Sequence, residues 1–364
     1  MDVVDLLRYM TERGASDLHL SAGNVPFIRV DGELLPAAFP ALEADDVEEA
    51  AEALMPSHKK SEFGRTNEAD FAHTLDGVGR FRVNVLRQRG TVALAIRRVA
   101  SEGQTFTELN LPATIQGFVE ARRGLVLVTG PTGSGKTTTI ASMIGFINRT
   151  RRAHIVTIED PIEVLHTDNM SVIWQREIGP DTSSYGSALR QVLRQDPDVI
   201  FVGEIRDAES AISAIQAAQT GHLVLSTMHT IDTTETVSRV VELFPQQQHQ
   251  QVRTSFAGAL RGVISQRLLE RIDGRGLIPA VEILMNTGRV YERILDPEST
   301  VQLVDIIAES GFDGMQTFDQ ALIELVQGGL VAEEDARAVA TNPHDFSLAL
   351  GGALSRGALV PEGA

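Results

Sequence analysis

The spacing of apolar positions changes character near residue 116. Upstream of it the segments are short. Residues 3–11 carry apolar positions on one helical face and end near Gly14, as an amphipathic helix does. Residues 17–20 and 27–30 read as short strands, with Asp31-Gly32 as a hairpin signal. Residues 43–54 form an acidic helix. Residues 70–73, 79–86 and 91–99 alternate apolar and polar side chains, which predicts an antiparallel sheet with one face on a core and one in water. Residues 1–100 are therefore expected to be a small α+β domain. Residues 101–115, mixed, polar and containing Pro112, read as a linker.

Beyond 116 the strands become continuous apolar runs at 125–129, 154–159, 198–203 and 223–228. That is the pattern of parallel strands covered on both faces. Helical periods separate them at 137–149, 184–194, 207–219 and 234–243, and Pro245 closes the last. Helical patterns continue at 253–270, 316–327 and 332–340. The expected organisation is an α/β domain over 116–288, a helical section over 289–350, and a frayed, Gly/Ala-rich flexible tail over 351–364. No internal repeat is visible.

Composition narrows the classes. The chain has 364 residues, 43% hydrophobic and 22% charged, within the range of globular proteins. The net charge is −17, so nucleic acid and anionic lipid are disfavoured as main partners. There is no cysteine, which excludes disulfides, thiolate zinc sites and a cysteine nucleophile. The N-terminus lacks a basic and an apolar region of signal type, and no apolar run reaches the roughly 18 residues of a membrane helix. The expectation is a cytoplasmic protein with membrane contact only through partners.

The strongest chemical signal is Gly130-Pro131-Thr132-Gly133-Ser134-Gly135-Lys136-Thr137. It fits the phosphate-binding pattern G-x-x-x-x-G-K-[ST] and stands between a strand and a helix, the context that gives the pattern meaning. The glycines allow backbone N–H groups to turn toward phosphate oxygens. Lys136 is one of only three lysines. It would reach the β- and γ-phosphates of ATP, and the Thr137 hydroxyl would hold Mg²⁺.

Three further segments follow predicted strands, and ligands of open α/β sheets sit at the carboxyl ends of strands. Ile158-Glu159-Asp160-Pro161-Ile162-Glu163 places three carboxylates within five residues. Glu163 is a candidate general base for the attacking water; the alternative is a solvated turn started by Asp160-Pro161. In Asp198-Val199-Ile200-Phe201-Val202-Gly203-Glu204 an apolar strand ends in an acid that would hold Mg²⁺. Gly203 replaces the usual Asp, so Glu204 carries that role alone. The strand 223–228 is bracketed by His222 and His229. His229 is either a satisfied polar residue or a sensor of the γ-phosphate. The arginines Arg82 and Arg97 lie on predicted strands of the first domain. They are either phosphate-gripping residues or members of ion pairs on a solvated face.

Together these segments resemble the secretion-type motor ATPases, specifically the PilT-type family of type IV pilus retraction and twitching motility. The likeness runs from Gly14-Ala15-Ser16-Asp17-Leu18-His19-Leu20 to Gly314-Met315-Gln316-Thr317-Phe318-Asp319-Gln320. It includes Thr132 to Thr138, the acidic box 158–163, Gln175-Arg176-Glu177, the atypical Walker B segment Val202-Gly203-Glu204-Ile205-Arg206-Asp207 and the histidine box with His222 and His229. The resemblance implies a PAS-like N-terminal domain, a RecA-like P-loop ATPase domain and a ring of six subunits, with nucleotide between the two domains. It makes Glu163 the catalytic glutamate, Glu204 the Walker B acid, His229 the sensor, and Arg82 and Arg97 nucleotide-contacting arginines; Thr138 belongs to the nucleotide-binding loop. It implies ATP and Mg²⁺, an inner-membrane platform partner, a second pilus ATPase as a further partner, and a place at the inner face of the cytoplasmic membrane. A start close to the first domain and the lack of a four-cysteine insert favour retraction over pilus assembly or type II secretion. The stretch 289–295 departs from the retraction family's Ala-Ile-Arg-Asn-Leu-Ile helix, and Trp174 replaces a small polar residue. A non-hydrolysing accessory regulator of a pilus motor is the alternative of another class.

Overall fold

The computed structural model describes residues 2–30, 32–101 and 103–357. Met1, Asp31 of the expected hairpin signal, Glu102 of the expected linker and residues 358–364 of the expected tail lie outside the described residues. The chain divides into two compact units, Met1–Glu102 with Pro161–Leu165, and Gly103–Asp160 with His166–Ala364.

The smaller unit runs α1 (Val3–Glu12), β1 (Asp17–Ser21), β2 (Phe27–Val30), β3 (Glu33–Pro36), α2 (Ala44–Leu54), α3 (Ser57–Thr66), β4 (Glu68–Leu75), β5 (Gly79–Gln88), β6 (Thr91–Arg98) and β7 (Ala100–Ser101). The Asp2 carboxylate accepts the Val4 N–H at 2.9 Å and starts α1. Six strands pair antiparallel in the order β3-β2-β1-β6-β5-β4. Their alternation sorts the two faces. Phe81, Val83 and Val85 of β5 and Val92, Leu94 and Ile96 of β6 are buried in one cluster with Leu6, Leu7 and Met10 of α1 and Val47 and Leu54 of α2. Between them stand Arg82 and Arg97, directly opposite each other on the other face. The helix α3 was not expected; it buries no residue of its own, so it shows no apolar stripe to read. β10 (Val164–Leu165) returns to this unit and pairs in parallel with β7.

The larger unit contains α4 (Thr114–Glu120), β8 (Gly124–Thr129), α5 (Lys136–Thr150), β9 (His154–Glu159), β11 (Val172–Glu177), α6 (Tyr185–Val192), β12 (Val199–Val202), α7 (Ala208–Gln219), β13 (Leu223–Met228), α8 (Thr233–Glu242), α9 (His249–Ala259), β14 (Leu260–Glu270) and β15 (Leu277–Met285). Its sheet has the order β11-β9-β12-β13-β8-β14-β15, parallel throughout except for β15. Leu125, Leu127, Val156, Ile158, Ile200 and Val202 share one core with α6, α7 and α9. Val126, Val128, Ile155, Phe201, Leu223 and Leu225 share another with α4 and α5. Both faces are covered, which is why these strands lack alternation.

The expected helix over 253–270 is corrected. Helix α9 ends at Ala259, and 260–270 is the strand β14. Sandwiched between β8 and β15, this run is buried at successive positions and its polar residues break the strand alternation, so periodicity cannot tell it from a buried helix; strand pairing decides. The expected tail is corrected in part, because residues 351–357 finish a helix. The C-terminal section is α10 (Gly288–Leu295), α11 (Leu303–Glu309), α12 (Phe318–Gln327), α13 (Glu333–Val339) and α14 (Pro343–Gly357). The segment 289–295 lies in α10, with Val290 and Ile294 buried and Arg289 paired to Glu309. Trp174 is half-exposed on edge strand β11, edge-on to the His154 ring at 4.5 Å.

Close packing at one glycine sets the seat of β14. A Cβ on Gly262 would stand 2.3 Å from Phe118 Cε1 and 2.5 Å from Leu284 O. Gly262→Ala is expected to cost about 1–3 kcal/mol through overpacking, measured by chemical denaturation; an unchanged midpoint would contradict the packing described.

Candidate functional site

The register of the parallel strands builds the site. β9, β12, β13 and β8 are consecutive neighbours, with Ile158 beside Val202, Val202 beside Ser226 and Met228 beside Thr129. Their carboxyl ends therefore finish along one edge, and the chain leaves it at Asp160, Gly203-Glu204, His229 and Gly130.

The loop after β8 is shaped by close approach. Gly130 has φ +143°, and a Cβ there would lie 2.4 Å from Ser134 Oγ and 2.5 Å from Gln266 O. Gly135, at φ +87°, caps the start of α5 in the left-handed region open to glycine. Lys136 is buried, and its Nζ donates to the Gly130 carbonyl at 2.7 Å and the Pro131 carbonyl at 2.9 Å. Pro131, Thr132, Gly133 and Thr138 are exposed, and Thr137 is half-buried. The Ser134 hydroxyl is buried without a hydrogen-bond partner. A helix start, a lysine held across the loop and an unsatisfied hydroxyl suit an anion such as a phosphate chain. Beside the loop lies a cavity of ≈ 410 Å³ lined by Leu109, Leu111, Gly135, Thr138, Leu268 and Arg271 among others. This is the size range of small-molecule sites.

The end of β12 is pinned on both sides. Gly203 N donates to Ile158 O at 2.8 Å, Ile205 N donates to Thr227 O at 3.0 Å, and the Thr227 hydroxyl donates to Gly203 O at 2.6 Å. Glu204 is thereby held with Oε2 2.6 Å from Arg206 Nε and Oε1 3.4 Å from His229 Nε2. The expected Mg²⁺ acid and the expected sensor histidine are thus neighbours. The glycine in place of the usual acid also finds a reason. A Cβ on Gly203 would meet the Tyr185 hydroxyl at 2.8 Å and Ile158 O at 3.2 Å. Burial, and then the charge of Asp160, push the Tyr185 phenol well above its ordinary range and keep it neutral. Sequence reasoning missed Tyr185, which no motif marks, and assigned Arg206 no role although it stands inside the motif.

Of the acidic box, Glu159 is buried and accepts hydrogen bonds from Thr157 Oγ1 at 2.6 Å and Gln175 Nε2 at 3.2 Å. Gln175 also accepts the His166 N–H at 2.8 Å, so the Gln-Arg-Glu motif braces this acid from β11. Glu163 belongs to the smaller unit, beside β10, whereas Glu159 and Asp160 belong to the larger one. Arg82 and Arg97 also belong to the smaller unit. Each stands in an ion pair there: Arg82 with Asp70 at 2.6 Å, Arg97 with Asp17 at 2.8 Å. Burial alone would raise the Asp17 carboxyl, but hydrogen bonds from Ser16 and Arg97 outweigh it and hold the group below its usual range. The two arginines are register partners on β5 and β6, and each pairs with an acid on its outer neighbour, Asp70 on β4 and Asp17 on β1, which offsets a like-charge pair. His222 is structural: its Nδ1 lies 2.9 Å from the Ala217 carbonyl, near the end of α7.

Among the described residues no group of three or more His, Asp or Glu is arranged to hold a metal. Mg²⁺ does not require one, since it keeps waters and takes one or two protein oxygens with substrate phosphates. Thr137 and Glu204 are compatible with that pattern. Among the described residues no helix is long and apolar enough to cross a membrane.

Comparison with known proteins agrees with this geometry. Residues 5–313 match the family model described as "Type II/IV secretion system protein". The chain is 41% identical over 346 residues to the "Type IV pilus retractation ATPase PilT" of Pseudomonas aeruginosa, covering 95% of this chain and 100% of that protein. It is 41% identical over 345 residues to a "Twitching motility protein" of Neisseria gonorrhoeae, covering 95% and 92%. The "Pilus Retraction Motor PilT and Bound ADP" superposes with a TM-score of 0.87 at 42% identity, covering 95% of this chain and 98% of that one. The fold is accordingly that of a mixed α/β secretion ATPase with a parallel core sheet and a helical C-terminal region.

The loop geometry makes a direct prediction. Gly130→Ala imposes strain of about 1–3 kcal/mol, so nucleotide affinity is expected to fall about ten- to a hundredfold. Titration with a fluorescent nucleotide reads it, and wild-type affinity in the variant would contradict the close approach to Ser134 and Gln266.

Proposed function

Because this chain belongs to the Type II/IV secretion system protein family, we propose that it is a motor ATPase whose turnover drives type IV pilus retraction. The observation that carries the reading is the shared edge at which the Lys136 loop and the Glu204–His229 pair end neighbouring strands. ATP binds with its phosphates on the loop 130–137 and Thr138. On binding, Lys136 exchanges its two loop carbonyls for β- and γ-phosphate oxygens, a charge-assisted contact in place of a neutral one. Thr137 and Glu204 hold Mg²⁺, which offsets charge on the phosphates. Glu163 takes the proton of the attacking water, and His229 contacts the γ-phosphate and reports its loss to Glu204. Arg82 and Arg97 leave Asp70 and Asp17 to grip nucleotide oxygens. The cradle lies on the larger, RecA-like unit, and Glu163, Arg82 and Arg97 lie on the smaller, PAS-like unit.

Six copies form the working ring, at the inner face of the cytoplasmic membrane, against a platform protein of the pilus and beside a second pilus ATPase. Support for retraction comes from the names carried by the PilT and twitching-motility relatives. Pilus assembly or type II secretion is the competing motor reading, and deletion in the host separates them: surplus surface fibres are expected, and loss of fibres would assign the chain to assembly. Intact Lys136, Glu163 and Glu204 argue against a non-hydrolysing accessory role.

Two substitutions test the chemistry. Lys136→Ala is expected to abolish ATP binding. Glu163→Gln is expected to retain binding and lose about 10²–10⁴ in turnover, the usual contribution of a general base. Equal ATPase rates for the wild type and Glu163→Gln would remove that assignment.

A further inference from the structure

The carboxyl edge of the core sheet hides a row of hydroxyls. Thr129 ends β8, immediately before Gly130, and its Oγ1 lies 2.7 Å from Ser265 Oγ on β14. Thr230 follows His229, and its Oγ1 lies 2.6 Å from Thr236 Oγ1 in the first turns of α8. Thr236 Oγ1 in turn stands 3.4 Å from Thr129 Oγ1 and 2.6 Å from the Asp232 carbonyl. All four hydroxyl residues are buried, with Thr129, Thr236 and Ser265 at 0% exposure. Helix α8 itself is anchored, because Glu282 accepts the Thr233 N–H at 2.9 Å and the Thr233 hydroxyl at 2.8 Å.

A threonine has one hydroxyl proton. Thr236 can donate it to Asp232 O, to Thr129 Oγ1 or to Thr230 Oγ1, and to only one of them; with Thr230 as donor in their pair, the choice is between Asp232 O and Thr129 Oγ1. Asp232 O does not depend on it, since it already accepts the Thr236 N–H at 3.1 Å. The Thr236–Thr129 distance of 3.4 Å is long for an O–H···O bond. The row therefore has one loose joint, and it lies between the strand that carries the phosphate loop and the turn that carries His229.

We propose that Thr236 is a positioning residue that couples the phosphate loop, through Thr129, to His229, through Thr230. When the loop settles on a nucleotide, the Thr236 proton moves from the Asp232 carbonyl to Thr129 Oγ1 and the joint tightens. His229 is then set against Glu204, whose Oε1 it already approaches. The hydroxyls touch neither the nucleotide nor the reacting atoms; they fix where His229 stands during hydrolysis. This rests on the ATPase reading proposed above.

Thr236→Val in the full chain tests it. The expected result is a fall in kcat of about two- to tenfold, the value of one hydrogen bond, and by linkage a rise in the dissociation constant for ATP of no more than that factor. Thr236→Ser, which keeps the hydroxyl, is expected to restore the rate. In the His229→Gln background Thr236→Val is expected to add no further loss, because coupled residues are not additive. Should Thr236→Val fail to fold, Thr129→Val is measured instead and is expected to show the same dependence on His229. Wild-type kcat in Thr236→Val, no recovery with serine, or losses that multiply with His229→Gln would each overturn the coupling while leaving the ATPase reading intact. Absence of turnover in the unmodified chain would sink both.

Discussion

The parallel ladder of β9, β12, β13 and β8 is the constraint on which the rest depends. Its register ends four strands along one edge, so that an acid, a histidine and a glycine-rich turn leave the sheet on the same side although they are far apart in the chain. The ladder is stable because helices cover both of its faces with fully buried apolar side chains. The polar groups gathered at its edge are tolerated there because nearly all find partners: Thr227 on Gly203, Thr157 and Gln175 on Glu159, Arg206 on Glu204. The apolar sheet is thus the scaffold for a polar rim, and the rim is where phosphate chemistry can occur.

Charge is distributed between the units in a comparable way. On the smaller unit Arg29, Asp17, Arg97 and Arg82 occupy successive positions across β2, β1, β6 and β5. Two guanidinium groups side by side would repel without Asp17 and Asp70. The exposed Arg82–Asp70 pair contributes little to stability. The two acids hold both arginines in place on the smaller unit. Lys136 is held in the same manner by two backbone carbonyls of its own loop. In both places a cation waits on a weaker partner than the one proposed for it.

Much of this was legible in the sequence, for physical reasons that differ by element. The strands at 125–129, 154–159 and 223–228 were readable because burial on both faces leaves a continuous apolar run. β14 was hidden because polar residues interrupt its apolar positions: Leu260, Val263 and Ile264 suit a buried helix as well as a strand, and only the neighbours β8 and β15 decide. The loop 130–137 was readable because phosphate binding dictates residue types at fixed spacing. Tyr185 was not, since its role comes from standing over Gly203 across the fold. Nor were the ties of Thr129 to Ser265 and of Thr230 to Thr236, which depend on register and helix placement and carry no local signature.

The central claim is that one strand edge gathers the phosphate cradle and the acid–histidine pair around a single nucleotide. A crystal structure with magnesium and a non-hydrolysable ATP analogue tests it most directly. The account predicts the terminal phosphate on the amides of residues 130–137 with Lys136 turned from its loop carbonyls onto phosphate oxygens, and with Glu204 and His229 facing it. A nucleotide bound elsewhere, or one bound there with both Glu204 and His229 directed away from the terminal phosphate, would contradict it.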